Sequence, residues 1–577
     1  MIDSSPNHIK ISITFVMFFI GVLSMSVVSP MHFSFGAYVK APALPTGPSV
    51  NDPNLAVVKV TGGLKNPVSM AFVGPNDILV TEKNTGLVTR IFDGEVQRNI
   101  PVLDLAVANQ IERGLLGIAV SKHNDTGKTY VFLYVTESGN NLDGSDAPGI
   151  NVDPLGNRLY RYEYKDGQLF NPVLLLDLTA IPVNGRAEHN GGKVVIGPDN
   201  NVYVIVGEVG GHRTITQNNA TGPEANGLGG VLRITQDGKV VPDDPIFGED
   251  LPLSLYYGIG IRNSFGMDFD PVTGNLWDTE NGPDTGDEIN LIKPGFNGGW
   301  SLIQGNANDD LLQTGFTDSD VVTLGNSEYS DPKFVWKTTV GPTALQFLKT
   351  DKLGKAYENN MLTGDINNGY LYRFTLSDDR ENIEITNNTY VGDFKALSDN
   401  QADEPAETQP LIFGQGFGGI TDLKVGPDGY LYVLGYFGDL YKIMPKSEVK
   451  APVKQPGSAK ITDVSNITPP PNSTKAIIVG IKGSDSYSPD PIEINAGQTV
   501  TWFNGDIASH TVTSGTAGDT DEGSLFDSNA ILTGQHYSLV FDVPGTFPYY
   551  CVYHPSMVGE VHVDEPEQPK DENDQNN

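Results

Sequence analysis

The chain has a single cysteine, Cys551, and its neighbours give it a chemistry. In Cys551-Val-Tyr-His554-Pro-Ser-Met557 a thiol, an imidazole and a thioether are spaced at intervals of three, and Ser509-His510 stands about 40 residues upstream. A blue-copper centre takes two His nitrogens and a Cys thiolate in a trigonal plane, with a weak axial Met. His510, Cys551, His554 and Met557 supply that set, so type 1 copper is the expected metal. Zinc competes for the same His and Cys donors, but the soft thioether favours copper. An inert core thiol would leave the spacing of these residues unexplained. His536 and His562 read as surface or packing residues.

A second candidate is His189, set between Glu188 and the flexible Asn190-Gly191-Gly192. A neutral imidazole can take or give a proton near physiological pH. Taken alone, a loop histidine is more often solvated or simply hydrogen-bonded. The elements that position it must decide.

Those elements are many short strands. Of 577 residues, 65 are Gly and 39 are Pro, above the average usage of roughly 7% and 5%. Such turn-rich composition disfavours a helix bundle. Lys+Arg 37 against Asp+Glu 71 gives a formal net charge of −34. That balance argues against nucleic acid, whose phosphates are neutralised by Lys and Arg, and against anionic lipid surfaces. One cysteine excludes an internal disulfide framework. Residues 55–445 hold six similar segments, each an apolar strand, a turn and a second strand: 70–80, 117–135, 194–204, 267–277, 344–364 and 423–433. Most are followed by a third strand, such as Val88-Thr-Arg-Ile-Phe92 or Leu440-Tyr-Lys-Ile443. Antiparallel meanders repeated radially close a ring and leave few exposed edges. The expected fold is all-β: a six-bladed β-propeller, with any site at the loop-rich end of its channel.

Other segments flank the propeller. An apolar run, Ile11 to Val28, makes residues 1–37 a signal peptide or an N-terminal membrane anchor. Residues 38–54 form a spacer. Either way an extracellular, cell-surface or periplasmic-type location is expected, and five Asn-x-Ser/Thr sequons agree. Residues 446–474 read as a Pro-rich linker. Alternating strands over 475–563 read as a small β-sandwich carrying the copper ligands. Residues 564–577 are an acidic tail expected to be disordered.

Glu112-Arg-Gly-Leu-Leu-Gly117, His189-Asn-Gly-Gly192, Gly258-Ile-Gly-Ile-Arg-Asn263, Thr279-Glu-Asn-Gly-Pro-Asp-Thr-Gly-Asp-Glu-Ile-Asn290 and Gly295-Phe-Asn-Gly-Gly-Trp300 follow one another in that order. Together they resemble the motifs of the soluble glucose/sorbosone dehydrogenase family. The resemblance covers 55–445 and implies a six-bladed propeller that oxidises aldoses with pyrroloquinoline quinone and calcium. It implies His189 as general base and Arg262 as the group polarising the quinone carbonyl. It implies Asn263 and Glu112 as cofactor contacts, and main-chain carbonyls of Gly282 and Pro283 as ligands to the cofactor's calcium. Asp287 and Glu288 would support a nearby calcium. The C-terminal segment resembles plastocyanin-type cupredoxins through Gly497-Gln-Thr-Val-Thr-Trp-Phe-Asn504, Gly545-Thr-Phe-Pro-Tyr-Tyr-Cys551 and His554-Pro-Ser-Met557.

Three positions depart from the family. Gly364-Asp365-Ile366-Asn367 lacks a fifth-blade Lys, Gly418-Gly419-Ile420-Thr421-Asp422 lacks an Arg-x-Arg, and Asn297-Gly298-Gly299-Trp300 lacks a Tyr. A tricarboxylate would forfeit charge-assisted hydrogen bonds of roughly 1.5–3 kcal/mol each at the missing cations. Two function classes remain. One is an exported sugar dehydrogenase that oxidises a sugar or other alcohol, passes electrons to its own copper domain and thence to an external redox partner. The other is a non-catalytic propeller binding glycan or protein, beside an independent electron-transfer domain. Copper storage is disfavoured because only 9 Met occur.

Overall fold

The computed structural model describes residues 48–565 except 99–100, 124, 143–152, 181–186, 211–215, 219–225, 243–244, 387–394, 450–460, 466–472, 482–483, 507, 516–522 and 524. The expected signal or anchor segment and all five sequons (Asn124, Asn219, Asn387, Asn466, Asn472) lie outside the described residues, as does the tail beyond Glu565. Among the described residues no helix is long and apolar enough to cross a membrane.

Six sheets follow one another from residue 49 to residue 445. Their innermost strands are Pro67–Gly74, Leu115–His123, Val194–Ile196, Ser264–Phe269, Pro342–Phe347 and Ile420–Val425. Each packs on the next, and the last packs on the first, which closes the ring. Strand pairing reinforces the closure. Leu55–Thr61, before the first sheet, pairs antiparallel with Leu440–Pro445 and completes the last sheet. Strands in the middle of a sheet are buried on both faces by neighbouring sheets, so Val202–Val206 reads as an unbroken apolar run and is wholly buried. Aromatic rings fill the wedge between the fourth and fifth sheets. Trp336 meets Phe334 at 4.8 Å and Tyr372 at 5.5 Å between centroids. Inner strands approach too closely for side chains at some points: a Cβ on Gly117 would stand 1.9 Å from the Gly192 carbonyl oxygen.

The C-terminal domain is a sandwich of two sheets. One is built on Gln498–Asn504 and His536–Phe541, the other on Gly545–Cys551 and His554–Asp564. Trp502 is fully buried between them, with Tyr549 edge-on at 5.3 Å. The expected linker, 446–474, is in part structured: Ile461–Asp463 pairs with Leu539–Phe541 as an edge strand of the sandwich. Short edge strands of mixed polarity carry little periodic signal, which is why a Pro-rich context hid this one.

The sandwich touches the last sheet of the propeller. Lys59 Nζ lies 2.9 Å from Asp439 and 3.7 Å from Asp527, and Tyr441 Oη donates to Asn529 Oδ1 at 3.3 Å. The Phe437 ring stands 4.5 Å from that of Tyr553, tilted by 60°.

Candidate functional site

The copper ligands predicted from spacing converge. Cys551 ends one strand and His554 begins the next, paired across a two-residue turn. Hairpin geometry therefore fixes their separation. Cys551 Sγ lies 3.5 Å from His554 Nδ1 and 3.8 Å from His510 Nδ1. First-row metal bonds of about 2.3 Å to sulfur and 2.0–2.1 Å to nitrogen, at tetrahedral to trigonal angles, require roughly 3.6–3.8 Å between such atoms. The spacing thus fits a bound metal ion. Among the described residues, His510, Cys551 and His554 are the one group of three or more His, Cys, Asp or Glu able to hold a metal. Met557 is buried in the same apolar core as Cys551.

A second layer holds these ligands. His510 Nε2 bonds Asp506 Oδ2 at 2.9 Å, which leaves Nδ1 for the metal. The Thr511 N–H donates to Cys551 Sγ at 3.3 Å. The loop carrying His510 is pinned by main-chain bonds between His510 and Ile531 and by the buried Asn504, whose Nδ2 donates to Ala508 and Ile531 carbonyls. Burial pushes the free Cys551 thiol up, against donated hydrogen bonds that lower it. A metal cation must therefore displace that proton. His562 bonds Glu493 and Glu560 on the surface, as a histidine outside the site should.

The second site lies at the propeller channel. A cavity of about 280 Å³ is lined by Val68, Leu116, Lys193, Phe265, Thr343 and Thr421, each in or next to the inner strand of a different sheet, with Lys83, Glu112 and Tyr436 among the others. Glu112 ties this cavity to His189: its Oε2 accepts the His189 main-chain N–H at 2.5 Å and the Asn263 Nδ2 at 3.0 Å. Asn263 Oδ1 in turn accepts from Gly191 N–H at 3.2 Å. His189 Nδ1 lies 2.9 Å from Oε1 of the wholly buried Glu208. Arg262 donates its main-chain N–H to Glu280 and its Nη1 to the Asn281 carbonyl, and its side chain stands over the Trp300 ring at 5.4 Å. So the structure brings His189, Arg262, Asn263 and Glu112 into one hydrogen-bonded constellation. Ile111, His189 and Val209 all hold left-handed backbone conformations, with φ of 51°, 61° and 57°. Such conformations cost energy in non-glycine residues, β-branched ones above all, and cluster at functional sites.

Two cations missed from sequence stand in this cavity. Burial pushes Lys83 down to about 8, with Glu112 opposing that fall; its Nζ bonds Asn84 Oδ1 at 2.8 Å. Lys193 also falls to about 8 by burial, and it pairs with the buried Asp422. Burial alone would raise Asp422, but Lys193 and donors such as the Met70 N–H hold it below the usual carboxylate range. Arg262 Nε is buried with no hydrogen-bond partner among the described residues. Asp422 neutralises Lys193, which leaves Lys83 and Arg262, from the first and fourth sheets rather than the fifth and sixth, as the cations that an anionic cofactor would meet.

The positions expected to serve calcium are Gly282, Pro283, Asp287 and Glu288. Gly282 N–H donates to Asp287 Oδ1, and Asp287 Oδ2 accepts from Val340 and Gly341, so Asp287 braces loops. Glu288 is buried opposite Glu280. Its Oε1 accepts from Gln304 and Gly305. Burial, with Asp278 and Asp287 nearby, pushes Glu288 up to about 8. Glu288 Oε1 thus braces the loop at Gln304 and Gly305. Gly282 and Pro283 offer main-chain carbonyls beside it.

Comparison with known proteins agrees with this geometry. The Glucose / Sorbosone dehydrogenase family model matches residues 64–440. The chain belongs to the glucose/sorbosone dehydrogenase family. The family of copper binding proteins, plastocyanin/azurin, matches residues 476–564. Quinoprotein glucose dehydrogenase B of Acinetobacter calcoaceticus is 27% identical over 377 residues, 55% of this chain and 76% of that protein. Amicyanin-alpha of Methylorubrum extorquens is 37% identical over 98 residues, 16% of this chain and 75% of that protein. A solved oxidoreductase (glucose dehydrogenase) from Thermus thermophilus is 25% identical, with a TM-score of 0.51 over 68% of this chain and 100% of its own. This glucose/sorbosone dehydrogenase chain is therefore a redox protein with a cupredoxin fused behind the propeller.

Within the family frame, Glu208 is the residue that sequence reasoning missed at His189. Gly207-Glu208 follows the Val202–Val206 strand, and a glycine where a strand leaves the sheet core was the available signal.

Proposed function

We propose that the protein is an exported aldose dehydrogenase that releases electrons through its own copper domain. The observation that carries this reading is the 2.9 Å contact between His189 Nδ1 and Glu208, beside Arg262 and Glu112. The buried carboxylate favours Nδ1–H as donor and so leaves Nε2 as proton acceptor. That is the arrangement of a general base with its orienting acid. A quinone held near Lys83, Arg262, Asn263 and Glu112 would supply the hydride acceptor. Lys83 and Arg262 place positive charge where anionic oxygens would lie. Apolar walls from Val68, Leu116 and Phe265 lower the local dielectric, which strengthens these interactions. A sugar or another polyhydroxylic alcohol fits a base of this kind, and an outside redox protein would drain the copper. Export rests on the N-terminal apolar run.

The non-catalytic reading draws on one observation. Among the described residues the fifth sheet brings no cation to the channel cavity, and Asp365 is occupied by Asn368, Gly369 and Tyr372 donors. Titrating the purified chain with pyrroloquinoline quinone and calcium, then measuring dye reduction by a panel of aldoses, separates the two. Dye reduction that requires both additions supports the enzyme. If no aldose reduces the dye, the propeller is a binding module.

A further inference from the structure

We infer that Tyr436, Phe437 and Tyr553 form the electron conduit between the propeller channel and the copper. The inference rests on the redox reading above and adds the route. Tyr436 lines the channel cavity and also a larger cavity, of about 990 Å³, between propeller and copper domain. Phe437 and the copper ligand His554 line the second cavity as well. The Tyr436 and Phe437 rings lie 5.7 Å apart, and Phe437 reaches Tyr553 at 4.5 Å. Tyr553 sits in the two-residue turn that joins Cys551 to His554, one peptide bond from one ligand and two from the other. Electron tunnelling falls steeply across open gaps and more slowly through packed rings and bonds. Ring contacts thus run beside the larger cavity from the channel wall to the turn that carries the copper ligands.

Phe437 also needs an explanation of its own. It remains 46% exposed, on a loop of the last sheet, although it is a large apolar side chain. Core packing does not account for that position; contact with the ring of the copper domain does. Lys59, with Asp439 and Asp527, anchors the two domains beside it.

The electron balance sets a further requirement. Oxidation of a sugar at C1 to its lactone releases two electrons and two protons. Copper(II) takes one electron to become copper(I). An outside one-electron acceptor must reoxidise the copper before the second electron passes. The two protons leave through His189 and solvent.

The test uses the full chain loaded with copper, pyrroloquinoline quinone and calcium. The electron donor is the quinone reduced beforehand to its quinol, so that no sugar chemistry is needed. Bleaching of the copper band at about 600 nm is followed by stopped flow. The expected decay in the parent is first order and independent of protein concentration. Phe437→Leu and Tyr553→Leu slow it by at least an order of magnitude, with band position and midpoint potential unchanged. Phe437→Leu is the deciding variant, because it lies outside the copper domain. A Phe437→Leu rate equal to the parent's overturns the conduit, and so does parental decay that stays second order overall, its rate rising with quinol without reaching a plateau. Adding aldose in place of quinol distinguishes the parent readings. If quinol bleaches the copper and aldose does not, the conduit stands and the sugar reading fails.

Discussion

His189 and Cys551 depend on partners placed by quite different means. Cys551 meets His554 through a turn of two residues, so its copper chemistry was legible as a local spacing. His189 meets Glu208 only through the ring's third sheet, and nothing in the spacing announces a carboxylate there. For the copper site, Cys551→Ser should abolish the absorption at about 600 nm, which is thiolate-to-copper charge transfer. Asp506→Ala should keep the colour but lower copper affinity by roughly 10–100-fold, as loss of an outer-layer partner does. Competition with a calibrated chelator measures it. For the channel, His189→Ala should lower kcat by the roughly 10²–10⁴-fold typical of a lost general base; undiminished sugar oxidation would remove His189 from that role. Lys83 adds a pH dependence. Its folded value of about 8 means it is charged at neutral pH and loses its charge as pH rises. Affinity for an anionic quinone should therefore fall above about pH 8, and Lys83→Gln should flatten the profile. Fluorescence titration of the quinone across pH tests both, without any turnover.

At the scale of elements, the repeats were readable because each sheet buries an apolar run beside a Gly-rich turn. The ring's consequences were not. Lys83 and Lys193 are far apart in sequence, and only closure of the six inner strands points both at one cavity. Asp422 is farther still, 229 positions from Lys193. Absent cations in the fifth and sixth sheets therefore said less than the sequence suggested, because the ring admits cations from any sheet. Gly207 shows how tightly the elements set the site. A Cβ there would stand 2.3 Å from the His189 carbonyl oxygen and 3.0 Å from Asn263 Oδ1. The His189 carbonyl is backbone, so the His189 loop must shift. Gly207→Ala should thus cost catalysis much as His189→Ala does, since small misplacements of a base are costly. The copper band should remain intact, because the sandwich has its own core around Trp502. Normal turnover in Gly207→Ala would show that the loop tolerates the shift.

For the whole molecule, the question is what holds the copper domain against the propeller when the chain carries a net charge of −34. General electrostatics oppose contact between two acidic bodies. At their boundary Lys59 faces Asp439 from its own domain and Asp527 from the other, with side chains 36%, 16% and 26% exposed. Burial pushes Asp439 up, while Lys59 opposes the rise. A half-exposed pair of this kind contributes only about 0.2–1 kcal/mol by itself. Its removal by Lys59→Gln should therefore loosen the contact modestly. Reversal is a different matter: Lys59→Glu sets three carboxylates against one another beside the Phe437–Tyr553 contact. The copper domain should then leave the propeller and stay attached only by its tether. The covalent link still keeps the effective concentration of one domain at the other high, so electron transfer should survive but slow. Small-angle scattering should show a larger radius of gyration for Lys59→Glu than for the parent, with Lys59→Gln between them. The copper spectrum should not change, because Lys59 touches no ligand. A Lys59→Glu chain as compact as the parent, with copper reduced as fast, would place the docking energy in the aromatic contact alone.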